Sequence, residues 1–435
     1  MLQNRLVPLG AAILLFFLTI LGVGPGTQWL ISRYIRPGVI ETASAGAISS
    51  LFQGTLLQAA AIKSPDVLPL YGSSELFGGA RFNPSKLFAG RPTGWVPYLV
   101  GHAGSTDLIQ ALYTGAQDLK GKKIAISLSA QWFSPAGVSQ KAFAANFSAL
   151  QAYKALDNPL LTEQTKADLA KRLLQFNETP KNYPILSGLL RYFGHPDLRS
   201  QLMEALYWFP GRLEMAALEI QDANNTIKVL THLPQKEVTM NASDKPKTLP
   251  SWVKLAKQAT ADVRRSESNN PYGINNNFFR DKVRNPKKFK NSASKGRFFP
   301  SPEYSDLNLV MQVLKDEGAK PIFIIQPVNG FWYDFTGFPK YERQKYYTQV
   351  RAMCAQYGYA LADFSGHEYD KYFMNDPSHP SEKGWLDFDA ALDKFFHQKP
   401  QTAVPGNAAL LLSDSDRTVY HLCGAKTAHT ASLHI

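Results

Sequence analysis

Cysteine is nearly absent: two residues in 435, Cys354 and Cys423. Cys354 sits in an apolar helical pattern and Cys423 in a polar tail, so there is neither a disulfide framework nor a cysteine metal spacing. No metal and no cofactor is expected. Acidic residues are also in short supply, with 35 Asp and Glu against 47 Lys and Arg, a formal net charge of +12. That field favours anionic partners, whether nucleic acid, acidic lipid headgroups or polyanionic polymers. No nucleic-acid recognition motif accompanies it, so nucleic acid is not an expected partner. Charged residues make up only 19% of the chain and hydrophobic ones 44%, which excludes a disordered polymer. Internal repeats are lacking too.

Long apolar runs are confined to one place. Leu6 to Val23 is an 18-residue stretch without a charge, at the lower edge of what spans a bilayer. Arg5 precedes it, and Trp29, Arg33, Tyr34 and Arg36 follow like interfacial anchors. A cleaved signal peptide is the rival reading. Its best site, Ala43-Ser44-Ala45, lies some twenty residues beyond the apolar stretch, too far for cleavage. Residues 1–36 are therefore expected to be an uncleaved transmembrane anchor, and 37–65 a helical neck.

From residue 66 an α/β rhythm sets in. Val67–Tyr71, Trp95–Val100, Lys123–Ser129, Pro321–Ile325 and Tyr359–Phe364 read as short buried strands. Amphipathic helical patterns separate them: one after Ser105 or Thr106 as cap, then Glu303–Glu317, Tyr341–Tyr357 and Ser381–Phe396. Apolar strands alternating with helices imply a parallel sheet covered on both faces. Residues 137–265 read as a helical insertion within a 66–397 domain. Residues 266–302 read as polar, basic loop, and 398–435 as a loose tail.

In such sheets functional groups gather at the carboxyl ends of strands. The first strand runs into Gly72-Ser73-Ser74, and Ser74 is a candidate nucleophile with a helix expected just behind it. By itself the run also fits an ordinary turn. Asp376-Pro377-Ser378-His379 can place a carboxylate and an imidazole in one tight loop, Asp376 orienting and His379 acting as general base; it also fits a turn capping the helix at Ser381. Acyl transfer needs oxyanion donors. Candidates are the backbone N–H of Ser74, that of Gly104 and the Gln131 amide. Glu75, His102, Trp132, Gln326, Asn329 and Trp332 lie near the same strand ends and are candidates for the cleft or acceptor site. Glu75 also fits a first-turn helix residue, His102 a structural role, and Gln326, Asn329 and Trp332 core or loop roles.

Together these parts resemble the SGNH, or GDSL-like, hydrolases, which carry a nucleophilic Ser after strand one, a Gly after strand two, an Asn after strand three and Asp-x-x-His near the C-terminus. Here Ser73 stands where Asp is usual and Gln131 where Asn is usual. A closer resemblance is to the DltD family, the D-alanine transfer proteins of Gram-positive bacteria. It rests on Tyr71-Gly72-Ser73-Ser74-Glu75-Leu76, Gln131-Trp132-Phe133, Asn270-Pro271-Tyr272-Gly273, Ser301-Pro302-Glu303-Tyr304-Ser305-Asp306-Leu307, Gln326-Pro327-Val328-Asn329-Gly330 with Trp332-Tyr333, and Asp376-Pro377-Ser378-His379-Pro380. It runs to about residue 397. The resemblance implies a three-layer parallel-sheet SGNH-like domain held outside the cell membrane by a single-pass anchor. It also implies D-alanyl transfer to lipoteichoic acid through Ser74, His379 and Asp376. The implied partners are a membrane-bound O-acyltransferase, a D-alanyl carrier system acting indirectly, and the polymer. A thioesterase or esterase with the same triad, or a non-catalytic scaffold, remains open.

Overall fold

The five apolar runs form the five strands of one sheet in a computed structural model that describes residues 3–35, 40, 55–77, 79–194, 198–232 and 248–398. They are β1 (Val67–Tyr71), β2 (Val96–Val100), β3 (Lys123–Leu128), β4 (Lys320–Ile325) and β5 (Ala360–Asp363). All neighbours are parallel, in the order β2-β1-β3-β4-β5. The chain leaves β1 for the edge strand β2 and returns on the other side of β1 as β3. The point where the order reverses, between the ends of β1 and β3, is where open α/β sheets bind ligands.

Strand side chains alternate between two cores. Tyr71, Ile124, Ile126, Leu128, Phe323, Ile325 and Leu361 face one, with helices Asp107–Gly115, Glu303–Glu317 and Lys340–Tyr357. Leu68, Leu70, Ala125, Ile322, Ile324 and Ala362 face the other, with helices Trp252–Ser266 and Glu382–His397. This is the α/β architecture of helices on both faces of a parallel sheet. Each fully buried Ile or Phe contributes about 1.5–3 kcal/mol.

Between β3 and β4 the chain is helical from Gln140–Asn146 through Trp252–Ser266, with 195–197 and 233–247 outside the described residues. Three local expectations give way. The stretch behind Ser74 is a single 3-10 turn, Ser74–Phe77, and not a full helix. Thr106 stands at the N-cap of Asp107–Gly115 but makes no side-chain cap bond; the carboxylate of Glu303 takes the Asp107 N–H from across the packed helix, at 2.8 Å. The 266–302 segment, read as polar and basic loop, is largely loop but also packs an aromatic cluster. Short turns Asn276–Phe278, Phe279–Val283 and Pro286–Phe289 pack Tyr272, Phe278, Phe279 and Phe289 around Ile274, Val283 and Trp332.

The N-terminal run forms helix Gln3–Ser32, with Leu14, Leu15 and Leu18 exposed. Among the described residues no helix is long and apolar enough to cross a membrane. Of the expected neck, helix Thr55–Lys63 is described; of the expected tail only residue 398 is, and Cys423 lies outside.

Candidate active site

The loop after Phe373 is stapled before any chemistry is considered. Met374 and Pro380 form an antiparallel bridge, and Asn375 N–H donates to the His379 carbonyl at 2.8 Å. Two neighbouring segments grip the loop from outside: Asn275 N–H donates to Asn375 C=O at 2.7 Å and Asn329 N–H to Pro377 C=O at 3.0 Å. Within it, Asp376 Oδ1 accepts the N–H groups of Ser378 and His379, both at 2.9 Å. The carboxylate is thereby fixed, and its Oδ2 lies 2.8 Å from His379 Nδ1. A carboxylate only accepts, so Nδ1 carries the proton and Nε2 is left as acceptor. Ser74 Oγ stands 2.8 Å from Nε2.

Ser74, His379 and Asp376 thus form one hydrogen-bonded chain across 305 residues of sequence. Burial pulls the His379 pKa down, but the Asp376 hydrogen bond and charge, with Glu75 adding, outweigh it, and the net shift is upward. Such a ring takes the serine proton more readily.

Beneath Ser74 the backbone is unusually close. Gly101 has φ +140° and a Cβ there would stand 2.0 Å from the Gly72 carbonyl oxygen, so only glycine lets the ends of β1 and β2 meet. At Gly72 a Cβ would fall 2.5 Å from Glu75 Oε1. Glu75 is buried under the turn and accepts Ser73 N–H at 3.0 Å. Burial raises its pKa; hydrogen bonds from Ser73 and Ser127 and the His379 charge oppose that. Gln326 Nε2 donates to Ser127 Oγ at 2.6 Å. Gln326 and Ser127 therefore make a buried polar pair, with Ser127 near enough to Glu75 to help oppose the upward shift. Ser127 escaped the sequence reading, although a lone hydroxyl in the apolar run Lys123–Leu128 was its signal.

The other expected site residues divide. Gly104 N–H is already donated to Ser73 Oγ at 3.1 Å, and Ser73 Oγ donates in turn to the His102 carbonyl at 3.2 Å. Where the SGNH pattern has Asp, Ser73 ties the loop after β2 to the nucleophile turn, and the second expected oxyanion donor is occupied. Gln131 is exposed on the turn after β3. His102 is exposed, with its ring 6.1 Å from that of Phe77. Trp132, Gln326, Asn329 and Trp332 are buried. Asn329 caps helix Gly330–Phe335 and donates to Tyr272 C=O at 2.9 Å, and Trp332 packs edge-on against Tyr272. Asn329 thereby braces the triad loop, and none of the four side chains is exposed. No three His, Cys, Asp or Glu of the described residues are grouped to hold a metal ion.

Comparison with known proteins adds independent findings. Residues 47–397 match the family described as DltD protein. The chain is 37% identical over 396 residues to Protein DltD of Bacillus subtilis (strain 168), covering 89% of this chain and 96% of that one. It is 28% identical over 381 residues to Protein DltD of Staphylococcus aureus (strain NCTC 8325 / PS 47), covering 85% and 91%. With Protein DltD of Lacticaseibacillus rhamnosus it shares 29% over 362 residues, covering 82% and 83%.

Proposed function

The chain belongs to the DltD family, and on that footing we propose that it transfers D-alanyl groups to lipoteichoic acid at the outer face of the cell membrane. The observation that carries the reading is the Ser74–His379–Asp376 chain at the reversal point of the sheet. Ser74 Oγ attacks the D-alanyl carbonyl of the donor while His379 Nε2 takes its proton. The tetrahedral intermediate is held by the Ser74 N–H and the Gln131 amide, with Gly104 N–H available once Ser73 lets it go. It collapses, and His379 protonates the departing donor atom. A hydroxyl of the polymer then gives its proton to His379, attacks the acyl-enzyme and leaves as the D-alanyl ester, with Ser74 restored.

Arg284, Lys287, Lys288, Lys290, Lys295 and Arg297 are exposed on the segment that grips the triad loop through Asn275. They suit a polyphosphate acceptor beside the site. The expected anchor would be helix Gln3–Ser32: its uncharged run and exposed leucines support a membrane contact, while no described helix is long and apolar enough to cross a bilayer. A membrane-bound O-acyltransferase fed by a D-alanyl carrier would supply the acyl group.

The test is a labelling assay. Membranes holding the wild-type protein are given a charged donor and polymer, and labelled D-alanine is followed on polymer and in solution. Transfer predicts ester on polymer that disappears with Ser74→Ala. Free D-alanine alone would mark a hydrolase, and undiminished transfer by Ser74→Ala would mark a scaffold.

A further inference from the structure

The loop that follows β2 carries the Gly104 N–H, and it is tied to itself. Ser105 N–H donates to His102 C=O at 2.8 Å, and His102 N–H donates to Ser105 Oγ at 2.9 Å. Position 104 takes glycine for two reasons: its φ is +86°, and a Cβ would stand 3.2 Å from Ala142 Cβ. Ala142 belongs to helix Gln140–Asn146, the first helix of the insertion. That helix is held from behind by Phe143, which is fully buried and stacks on Phe147 and Phe176.

Asn146 ends that helix, is buried, and grips the loop with both ends of its amide. Its Nδ2 donates to Ala142 C=O at 2.9 Å and to Ala103 C=O at 3.1 Å. Its Oδ1 accepts the Ser105 hydroxyl at 2.8 Å. Carbonyl oxygens only accept, so these partners allow the amide one orientation. Ala103 C=O and Gly104 N–H are the two ends of one trans peptide unit. Such a unit is planar, and its C=O and N–H point in opposite directions. Asn146 therefore holds one end of the unit whose other end reaches the nucleophile turn, where Ser73 Oγ accepts the Gly104 N–H at 3.1 Å. A donor on the carbonyl also polarises the N–H and strengthens it.

We propose that Asn146 is a positioning residue for the oxyanion, a role that rests on the acyl-transfer reading above. It keeps the Gly104 N–H aimed at the nucleophile turn when the Ser73 hydroxyl turns away. Ser73 Oγ holds that N–H and donates to His102 C=O at 3.2 Å, and one rotation about its χ1 releases both bonds. The peptide does not follow, because Asn146 retains its carbonyl. The N–H is then free for the oxyanion of the tetrahedral intermediate without any backbone rearrangement, which is what preorganised stabilisation requires. The helical insertion thereby contributes to the reaction through a side chain that never touches substrate.

The experiment follows covalent labelling of the full-length protein in detergent by a fluorophosphonate. Ser74 Oγ bonds to phosphorus, fluoride leaves, His379 takes the serine proton, and the phosphoryl oxygen stands where the oxyanion would. Wild type, Ser74→Ala, Asn146→Ala and Asn146→Asp are compared, with circular dichroism to check folding. Asn146→Asp keeps the volume and the acceptor for Ser105 but puts an oxygen against Ala103 C=O, so it gives the answer even if Asn146→Ala does not fold. Both Asn146 variants should label about ten- to a hundredfold more slowly at saturating probe, short of losing a donor outright. The half-saturating concentration should not change, and labelling should still reach one group per chain, which separates a slow site from a partly unfolded sample. Labelling of Asn146→Asp at the wild-type rate overturns the proposal, as does a weaker half-saturation with an unchanged limiting rate. Those results leave the triad standing so long as Ser74→Ala is unlabelled. An unlabelled wild type, or a Ser74→Ala labelled like wild type, brings down the acyl-transfer reading and this role with it.

Discussion

Two groups of carboxylates flank helix-capped ends of the sheet, and they are handled in opposite ways. Asp376 accepts three hydrogen bonds within its own loop and its ring partner is about one-third exposed. Asp107, Glu303 and Asp306 lie where helices Asp107–Gly115, Glu303–Glu317 and Glu163–Leu173 meet, all three buried. Only Asp306 has a cation, the guanidinium of Arg172, which binds it with two bonds at 2.7 and 2.8 Å. Neither Asp107 oxygen has a hydrogen-bond partner, nor does Glu303 Oε2. Burial drives the Asp107 pKa far up, and burial with the Asp306 charge pushes that of Glu303 up to about 8. In the first, backbone N–H groups stand where water would; in the second, Asp107 has no hydrogen-bond donor and Glu303 only one, so burial favours their neutral forms. The first belongs to the proposed catalytic chain, and the second joins helices packed on one face of the sheet.

If that division is right, each group breaks in its own way. Ser74→Ala should cost about three orders of magnitude or more in transfer and leave the unfolding midpoint within about 0.5 kcal/mol of wild type. A midpoint shift of several kcal/mol would show Ser74 to be structural. Asp376→Asn should cost about three to four orders of magnitude. It should also move the acid limb of the pH–rate profile. In the proposed mechanism His379 works as a neutral base, so activity should fall as pH drops through its pKa, which Asp376 raises. Removing that charge lowers the pKa, and the limb must shift to lower pH. An unmoved limb would detach Asp376 from the titration.

Arg172→Ala should do the reverse. It strands Asp306 in the interior without its cation, a loss of about 3–5 kcal/mol in chemical denaturation. The activity of the molecules that remain folded should be unchanged. A large drop in their turnover would join the two groups into one functional unit.

How much of this could be read beforehand follows from locality. The strands were legible because each is a short apolar run between turn residues. Ser74, Asp376 and His379 were legible because each lies at a strand or helix boundary in a distinctive tetrapeptide or tripeptide. The buried groups beneath were not: Glu75 looked like a first-turn helix residue, and the Gln326–Ser127 pair depends on the register of β3 against β4. Asp107 and Glu303 also stand in first turns, where acids normally favour the helix dipole. Nothing local says that these two N-termini are pressed together in the core. The aromatic packing of 266–302 was hidden by its lack of period, since Tyr272, Phe278, Phe279 and Phe289 converge on a tryptophan far along the chain.

The smallest effect tests the neutral state of the buried group most directly. Glu303 has a folded pKa of about 8, against an ordinary value near 4.3 in the unfolded chain. Between those two values the folded state holds a proton that the unfolded state has lost. Stability from this group is therefore full below about pH 4 and declines as pH rises toward about 8. Glu303→Gln keeps an oxygen for the Asp107 N–H but has no proton to lose. Its stability should fall less steeply between about pH 5 and pH 8, by a cumulative difference of about 3–4 kcal/mol over that range. Denaturation midpoints of wild type and variant at several pH values measure it. Parallel curves would mean that Glu303 is ionised in the fold, and the contrast between the two groups would no longer hold.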